Sequence, residues 1–145
     1  MEKSLRFKAF QDIEKRADDA ATYIKKKIDK TPDVAIILGS GLSGFENMLE
    51  TFSEIPYSEI PGFLKSTAPG HTGKLIFAEH AGKSLLIMSG RFHYYEGYSM
   101  QEITIPVRMM AILGIKRLII TNAAGAVNTA SCSSKIILIS PETIL

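Results

Sequence analysis

An α/β fold, a mixed β-sheet flanked by helices, is what this sequence predicts. Three observations lead there. A helix-period segment opens the chain. Two short apolar runs, Val34-Ala35-Ile36-Ile37-Leu38 and Leu118-Ile119-Ile120, have the β-branched, two-sided character of buried parallel strands. Between them a pair of strand-like runs is joined by a tight turn. The resulting order is helix, strand, loop, hairpin, helix, strand.

Each element has its own justification. Over residues 5–29 the apolar positions Leu5, Phe7, Phe10, Ile13, Ala17, Ala20, Ala21, Ile24 and Ile28 recur at roughly helical spacing, with charge on the other face. Thr31-Pro32-Asp33 stops that helix, because proline cannot continue it. Residues 45–49 are short enough for one helical turn. Residues 51–70 read as irregular connection, broken by Pro56, Pro61-Gly62 and Pro69-Gly70. Residues 74–78 and 83–88 pair across Ala81-Gly82 as a hairpin. A helix is expected over 100–113, beginning or kinking at Pro106 and ending at Gly114. Residues 116–121 form the second buried strand, and Asn122-Ala123-Ala124-Gly125-Ala126 is its exit loop.

Bulk properties narrow the function classes. The 145 residues suit one compact domain, and 22% charged residues is ordinary for a globular chain. A net charge of +2, with scattered basic residues, asks for neither nucleic acid nor an anionic membrane as partner. The Lys25-Lys26-Lys27 run reads as a solvated helix face. One cysteine, Cys132, excludes an internal disulfide and fits a reducing compartment. No apolar leader follows Met1, and no run approaches the roughly 20 residues of a membrane span. The cytoplasm is the expected location.

Four segments carry candidate chemistry. Gly39-Ser40-Gly41-Leu42-Ser43-Gly44 follows the first buried strand, where open α/β sheets bind ligands. Its glycines let backbone N–H groups approach an anion, and Ser40 adds a hydroxyl. A plain strand-to-helix turn is the alternative. The same residues match G-x-G-x-x-G, but the acidic partner of a dinucleotide site is missing, since Glu54 and Glu59 lie in a proline-broken stretch. The Walker pattern fails for want of Gly-Lys-Ser/Thr. A small anion such as free phosphate therefore fits better than a nucleotide.

Gly90-Arg91-Phe92-His93-Tyr94-Tyr95-Glu96-Gly97-Tyr98 is the second segment. Arg91 offers a rigid fork of donors for phosphate. His93 donates to an oxygen or titrates near neutrality. Tyr95 has a flat apolar face and a hydroxyl, which suit a sugar. Glu96 is placed to orient His93 or Ser40. The third segment, Pro69-Gly70-His71-Thr72-Gly73, sets His71 between glycines, either to close over an anion or as a simple turn. The fourth, Thr121-Asn122-Ala123-Ala124-Gly125, brings small residues to a strand exit, so that Ala123 N–H meets a phosphate or the segment packs closely on a helix. His80 and Cys132 read as inert.

Together these segments, with Ala35-Ile36-Ile37-Leu38 leading the first, resemble the trimeric class of purine nucleoside phosphorylases. All four motifs occur in the family's order and spacing. The resemblance implies a nucleoside phosphorylase-like fold. It implies phosphorolysis of purine (deoxy)ribonucleosides to free purine and (deoxy)ribose 1-phosphate. Phosphate would be held by Ser40, His71, Arg91, His93 and the Ala123 backbone. Tyr95 would meet the ribose, and His93, Tyr95 and Glu96 would form the catalytic set. The resemblance also implies no metal or organic cofactor, phosphate as co-substrate, and a homotrimer.

Family members continue for nearly as long again beyond the Asn-Ala-Ala-Gly loop, and base recognition belongs to that second half. Residues 1–130 are accordingly expected to be the N-terminal part of the domain. Residues 131–145 are expected to be an aberrant tail that departs from the family, as after a frameshift or in a truncated gene model. Two alternatives stand beside the enzyme: an inactive phosphate-binding remnant, and a dinucleotide-binding Rossmann domain resting on the single glycine motif.

Overall fold

The computed structural model of the chain describes residues 2–39, 41–42, 44–64 and 73–122. A 24-residue helix, α1 (Glu2–Lys25), precedes strand β1 (Val34–Ile37). Strands β2 (Glu50–Pro56), β3 (Lys74–His80) and β4 (Lys83–Ser89) follow, then helix α2 (Ile105–Ile112) and strand β5 (Leu118–Ile120). The five strands form one sheet in the order β2-β3-β4-β1-β5. β1 runs parallel to both β4 and β5, while β3 is antiparallel to β2 and β4. The mixed sheet expected from the sequence is present, with β1 between two parallel neighbours.

Side chains alternate across this sheet. Ala35, Ile37, Leu75, Phe77, Leu86 and Met88 face the cluster that includes Ala20, Ala21 and Ile24 of α1 and Met109 and Met110 of α2. Ile76, Ala78, Leu85 and Ile87 form a second cluster on the opposite face with Leu38, joined by half-buried Phe45 and Leu49. Alanines at 17, 20 and 21, all without exposed surface, bring α1 in close. Arg16 then reaches across to donate to the Gly62 carbonyl at 3.0 Å and to Glu102 at 3.2 Å.

Several boundaries differ from expectation, each for a physical reason. α1 ends at Lys25, not near residue 29. Lys26 and Lys27 donate to the carbonyls three residues back, a tighter turn, because this triple-lysine stretch has no buried side to hold a regular helix. Residues 50–56, mostly placed within irregular connection, are an edge strand with a bulge between Thr51 and Ser53. An edge strand with one buried residue, Ile55, needs little apolar patterning, and Pro56 stands at its end, where it interrupts least. The helix expected over 100–113 is regular only from Ile105, with Pro106 in its first turn where a missing N–H costs nothing. β5 is not a buried central strand. Among the described residues it lies at the sheet edge, and Ile120 is 45% exposed.

The hairpin and the helix end behave as expected. Ala81 and Gly82 both take positive φ, the turn handedness that matches strand twist. Gly114 accepts a left-handed conformation and Ile115 N–H closes onto the Met110 carbonyl at 3.1 Å. The segment 131–145 lies outside the described residues.

The entries of β1 and β4 are tied by one polar pair. Ser84 donates its N–H (2.9 Å) and hydroxyl (3.2 Å) to the Asp33 carboxylate, and Asp33 N–H returns a bond to the Ser84 carbonyl at 2.8 Å. The Ser84 N–H bond is the main cause that holds the Asp33 carboxyl below its ordinary pKa. A group with a depressed folded pKa adds stability above its unfolded value and loses it as the pH falls through the folded value. Urea titrations at a series of pH values should therefore show stability declining below about pH 4. Asp33→Asn should flatten part of that decline. Glu102, whose carboxyl is lowered chiefly by the Ser99 N–H, contributes a further part. Identical acid limbs in the two proteins would refute the assignment to Asp33.

Candidate functional site

Parallel pairing decides where the sequence motifs meet. β4, β1 and β5 are adjacent and point the same way, so the residues after Ser89, Ile37 and Ile120 leave from one edge of the sheet. β3 runs the other way and starts at that edge, with Lys74 opposite Ser89. The described residues of the four motifs thus converge, although Gly39 and Thr121 are 82 residues apart in sequence. Open α/β sheets bind ligands at such an edge.

Thr121 joins three of the converging segments. Gly39 N–H donates to its hydroxyl at 2.8 Å, and that hydroxyl donates to the Ile37 carbonyl at 3.2 Å. Arg91 donates one guanidinium N–H to the Thr121 carbonyl at 3.1 Å. The approach at residue 39 is close enough to require glycine: a Cβ there would fall 2.4 Å from the Thr121 oxygen. The first glycine of the 39–44 turn is therefore a packing residue between β1 and β5. Gly41 and Gly44 take positive φ, a conformation that favours glycine.

The 91–97 loop is held from within. Glu96 accepts the His93 backbone N–H at 2.9 Å, and Glu96 N–H donates to the His93 carbonyl at 3.1 Å. Glu96, expected to orient His93 or Ser40, is bonded to the His93 main chain. The His93 ring stacks on Tyr95 with centroids 4.7 Å apart and planes 14° from parallel. Tyr95 is 81% exposed. Arg91 keeps the rest of a five-donor fork beyond the N–H given to Thr121.

Arg91, His93, Tyr95 and Glu96 are thus brought to one edge, beside Gly39 and Thr121. Ser40, His71 and Ala123 lie outside the described residues. Their neighbours Gly39, Gly73 and Asn122 all stand at the converging edge. Among the described residues no group of three His, Cys, Asp or Glu side chains is arranged to hold a metal, and no helix is long and apolar enough to cross a membrane.

Two contributors escaped the sequence reading. Glu46 accepts Gly44 N–H at 3.2 Å and the Ser89 hydroxyl at 3.3 Å, which ties the glycine turn to the end of β4. An acidic residue just after a glycine-rich turn was the available signal. Tyr57 donates its hydroxyl to the Gly90 carbonyl at 2.6 Å from beneath the sheet edge. No local pattern announced that, because the bond spans 33 residues.

Residues 33–141 match the family model of the phosphorylase superfamily. The chain belongs to that superfamily. The match runs past residue 130, into the segment expected to depart from the family. Purine nucleoside phosphorylase 1 of Geobacillus stearothermophilus is 45% identical over 123 residues, which are 85% of this chain and 45% of that protein. The Bos taurus purine nucleoside phosphorylase is 46% identical over 110 residues, 76% of this chain and 38% of that one. Among solved structures, isoform 2 of the Schistosoma mansoni purine nucleoside phosphorylase, in complex with cytosine and ribose-1-phosphate, superposes with a TM-score of 0.73. It is 45% identical, over 80% of this chain and 41% of that one. The chain spans less than half the length of these phosphorylases.

The Thr121 joint makes a stability prediction. Thr121→Val keeps the side-chain shape but leaves Gly39 N–H without its acceptor. A loss of about 1–3 kcal/mol is expected in urea unfolding. An unchanged unfolding midpoint would show that the hydroxyl does not hold the β1–β5 exits together.

Proposed function

We propose that this chain supplies the phosphate and ribose side of a purine nucleoside phosphorylase site. The observation that carries the reading is the convergence of Arg91, His93, Tyr95 and the 39–44 turn at one sheet edge, joined through Thr121. Kinship with purine nucleoside phosphorylases at about 45% identity supports it. In this reading Ser40, His71, Arg91, His93 and Ala123 N–H hold phosphate. Tyr95 packs on the ribose, and Glu96 fixes the loop that presents His93.

The chemistry follows from those roles. A phosphate oxygen attacks the anomeric carbon of a purine nucleoside while the C–N glycosidic bond breaks. The bonding pair leaves with the base, which takes up a proton as free purine, and the sugar becomes ribose 1-phosphate. Such a displacement passes through an oxocarbenium-like state. A phosphate dianion fixed beneath the sugar stabilises that positive charge. Alignment of a weak nucleophile contributes further, up to roughly 7–11 kcal/mol in ideal cases. The same reading takes phosphate as co-substrate with no metal or organic cofactor, a homotrimeric enzyme, and a cytoplasmic setting.

A second reading, an inactive phosphate-binding remnant, differs from the first in expecting phosphate binding without turnover. Two measurements test these readings. Calorimetry with inorganic phosphate should show binding that Arg91→Ala weakens at least tenfold; no heat with the unaltered chain would remove the phosphate site. Phosphorolysis of inosine by the purified chain should be slight or undetectable. Turnover near that of a full-length relative would exclude the remnant and show that this chain completes the site by itself.

A further inference from the structure

Tyr57 stands directly after β2, outside every motif that points to phosphate. Its side chain is nevertheless built into the junction of two of them. Only 3% of the residue is exposed. The ring lies among Phe63 (5.4 Å between centroids) and Phe92 (5.2 Å), and Phe92 in turn meets Tyr98 edge-on at 6.2 Å. Burial raises the phenol pKa, so the hydroxyl stays a donor at any physiological pH. That proton goes to the Gly90 carbonyl at 2.6 Å, with the Ser89 carbonyl also near at 3.4 Å. Gly90 precedes Arg91, so the bond grips the last peptide before the guanidinium-bearing residue.

The other end of the residue grips the neighbouring segment. Tyr57 N–H donates to the Gly73 carbonyl at 2.9 Å. Gly73 lies flat on the ring: a Cβ there would fall 2.3 Å from two ring carbons. Gly90, at φ +92°, lies against Gly73 in turn, since a Cβ on it would sit 3.5 Å from the Gly73 Cα. One buried tyrosine thereby fixes the spacing between the residue before Arg91 and a residue two places along the chain from His71.

We infer that Tyr57 is a positioning residue for anion binding, setting the Arg91 loop relative to the start of β3 without touching the ligand. The inference rests on the phosphate reading above. Its physical content is preorganisation. A guanidinium fork held in place loses less freedom on binding than one carried by a loose loop. A hydroxyl bond to a main-chain carbonyl sets the loop's position more closely than ring packing alone.

Tyr57→Phe removes the hydroxyl and keeps the ring. Calorimetric titration with inorganic phosphate is expected to show about tenfold weaker binding than the unaltered chain. Ile24→Val, a buried truncation in α1, serves as the stability control and should bind phosphate normally. Wild-type affinity in Tyr57→Phe would overturn the inference. So would an equal loss in Ile24→Val, because the effect would then follow stability rather than position. Absence of phosphate binding by the unaltered chain would instead remove the phosphate reading, and this inference with it. If Tyr57→Phe does not fold, the unaltered chain decides. Coupling between a bond and a ligand is reciprocal. Where exchange reports the opening equilibrium of the bond, saturating phosphate should therefore slow solvent exchange of the Tyr57 hydroxyl proton, followed by NMR, by about tenfold. An unchanged exchange rate would overturn the inference.

Discussion

The close contact between the exits of β1 and β5 at Thr121 is the constraint on which the candidate site depends. A threonine hydroxyl can accept and donate at once. Here it accepts from Gly39 and donates to Ile37, while the carbonyl of the same residue accepts from Arg91. Three chain segments are thus indexed to a single residue. The contact leaves no room for a side chain at position 39, so the glycine there answers to the neighbouring strand before it answers to any ligand. Its flexible successors then shape the turn.

Sheet topology makes that joint possible. Had β4 or β5 run antiparallel to β1, its motif would have left from the opposite edge, and Arg91 or Thr121 would be separated from Gly39 by a strand's length. The parallel register aligns Ile37 with Met88 on one side and Ile120 on the other. All three strands therefore end within a residue or two of one another. The antiparallel β3 adds its beginning to the same edge through a hairpin whose length keeps Lys74 opposite Ser89. The described residues of four dispersed motifs become neighbours because of strand direction and register, before any side chain is considered.

How much of this was legible in the sequence depends on range. β1 was readable because five consecutive apolar residues before a glycine cluster have few other uses. The hairpin was readable from Ala81-Gly82 and the end of α2 from Gly114, while Pro106 left open whether the helix begins or kinks there. β2 was missed because an edge strand can be polar, and its signal, alternate burial, reduces to Ile55 alone. The depth of β5 was misjudged because an apolar trio looks the same at an edge as in the middle. In the site, the chemistry of Arg91, His93 and Tyr95 was visible in residue types packed between glycines. The contacts that hold them were not. Arg91 to Thr121 spans 30 residues, Glu46 to Ser89 43, and Tyr57 to Gly90 33. Such bonds leave no local pattern, since neither partner's neighbours need change to make them.

The carboxylates at this edge show how an anion site tolerates acid residues. Glu46 and Glu96 both lie close to the loops proposed to meet phosphate, where a free negative charge would oppose binding. Each is instead engaged with donors that shape a loop: Gly44 N–H and the Ser89 hydroxyl for Glu46, His93 N–H for Glu96. Without them those main-chain N–H groups would turn to water, and the loops would lose their fixed course. The repulsion they add is modest at a wet sheet edge, where the effective dielectric is high. Arg91 opposes it with a charge that no protein environment removes. In the phosphate reading the acidic residues serve the same end as the glycines and the buried tyrosine, which is to hold donors in place before the ligand arrives.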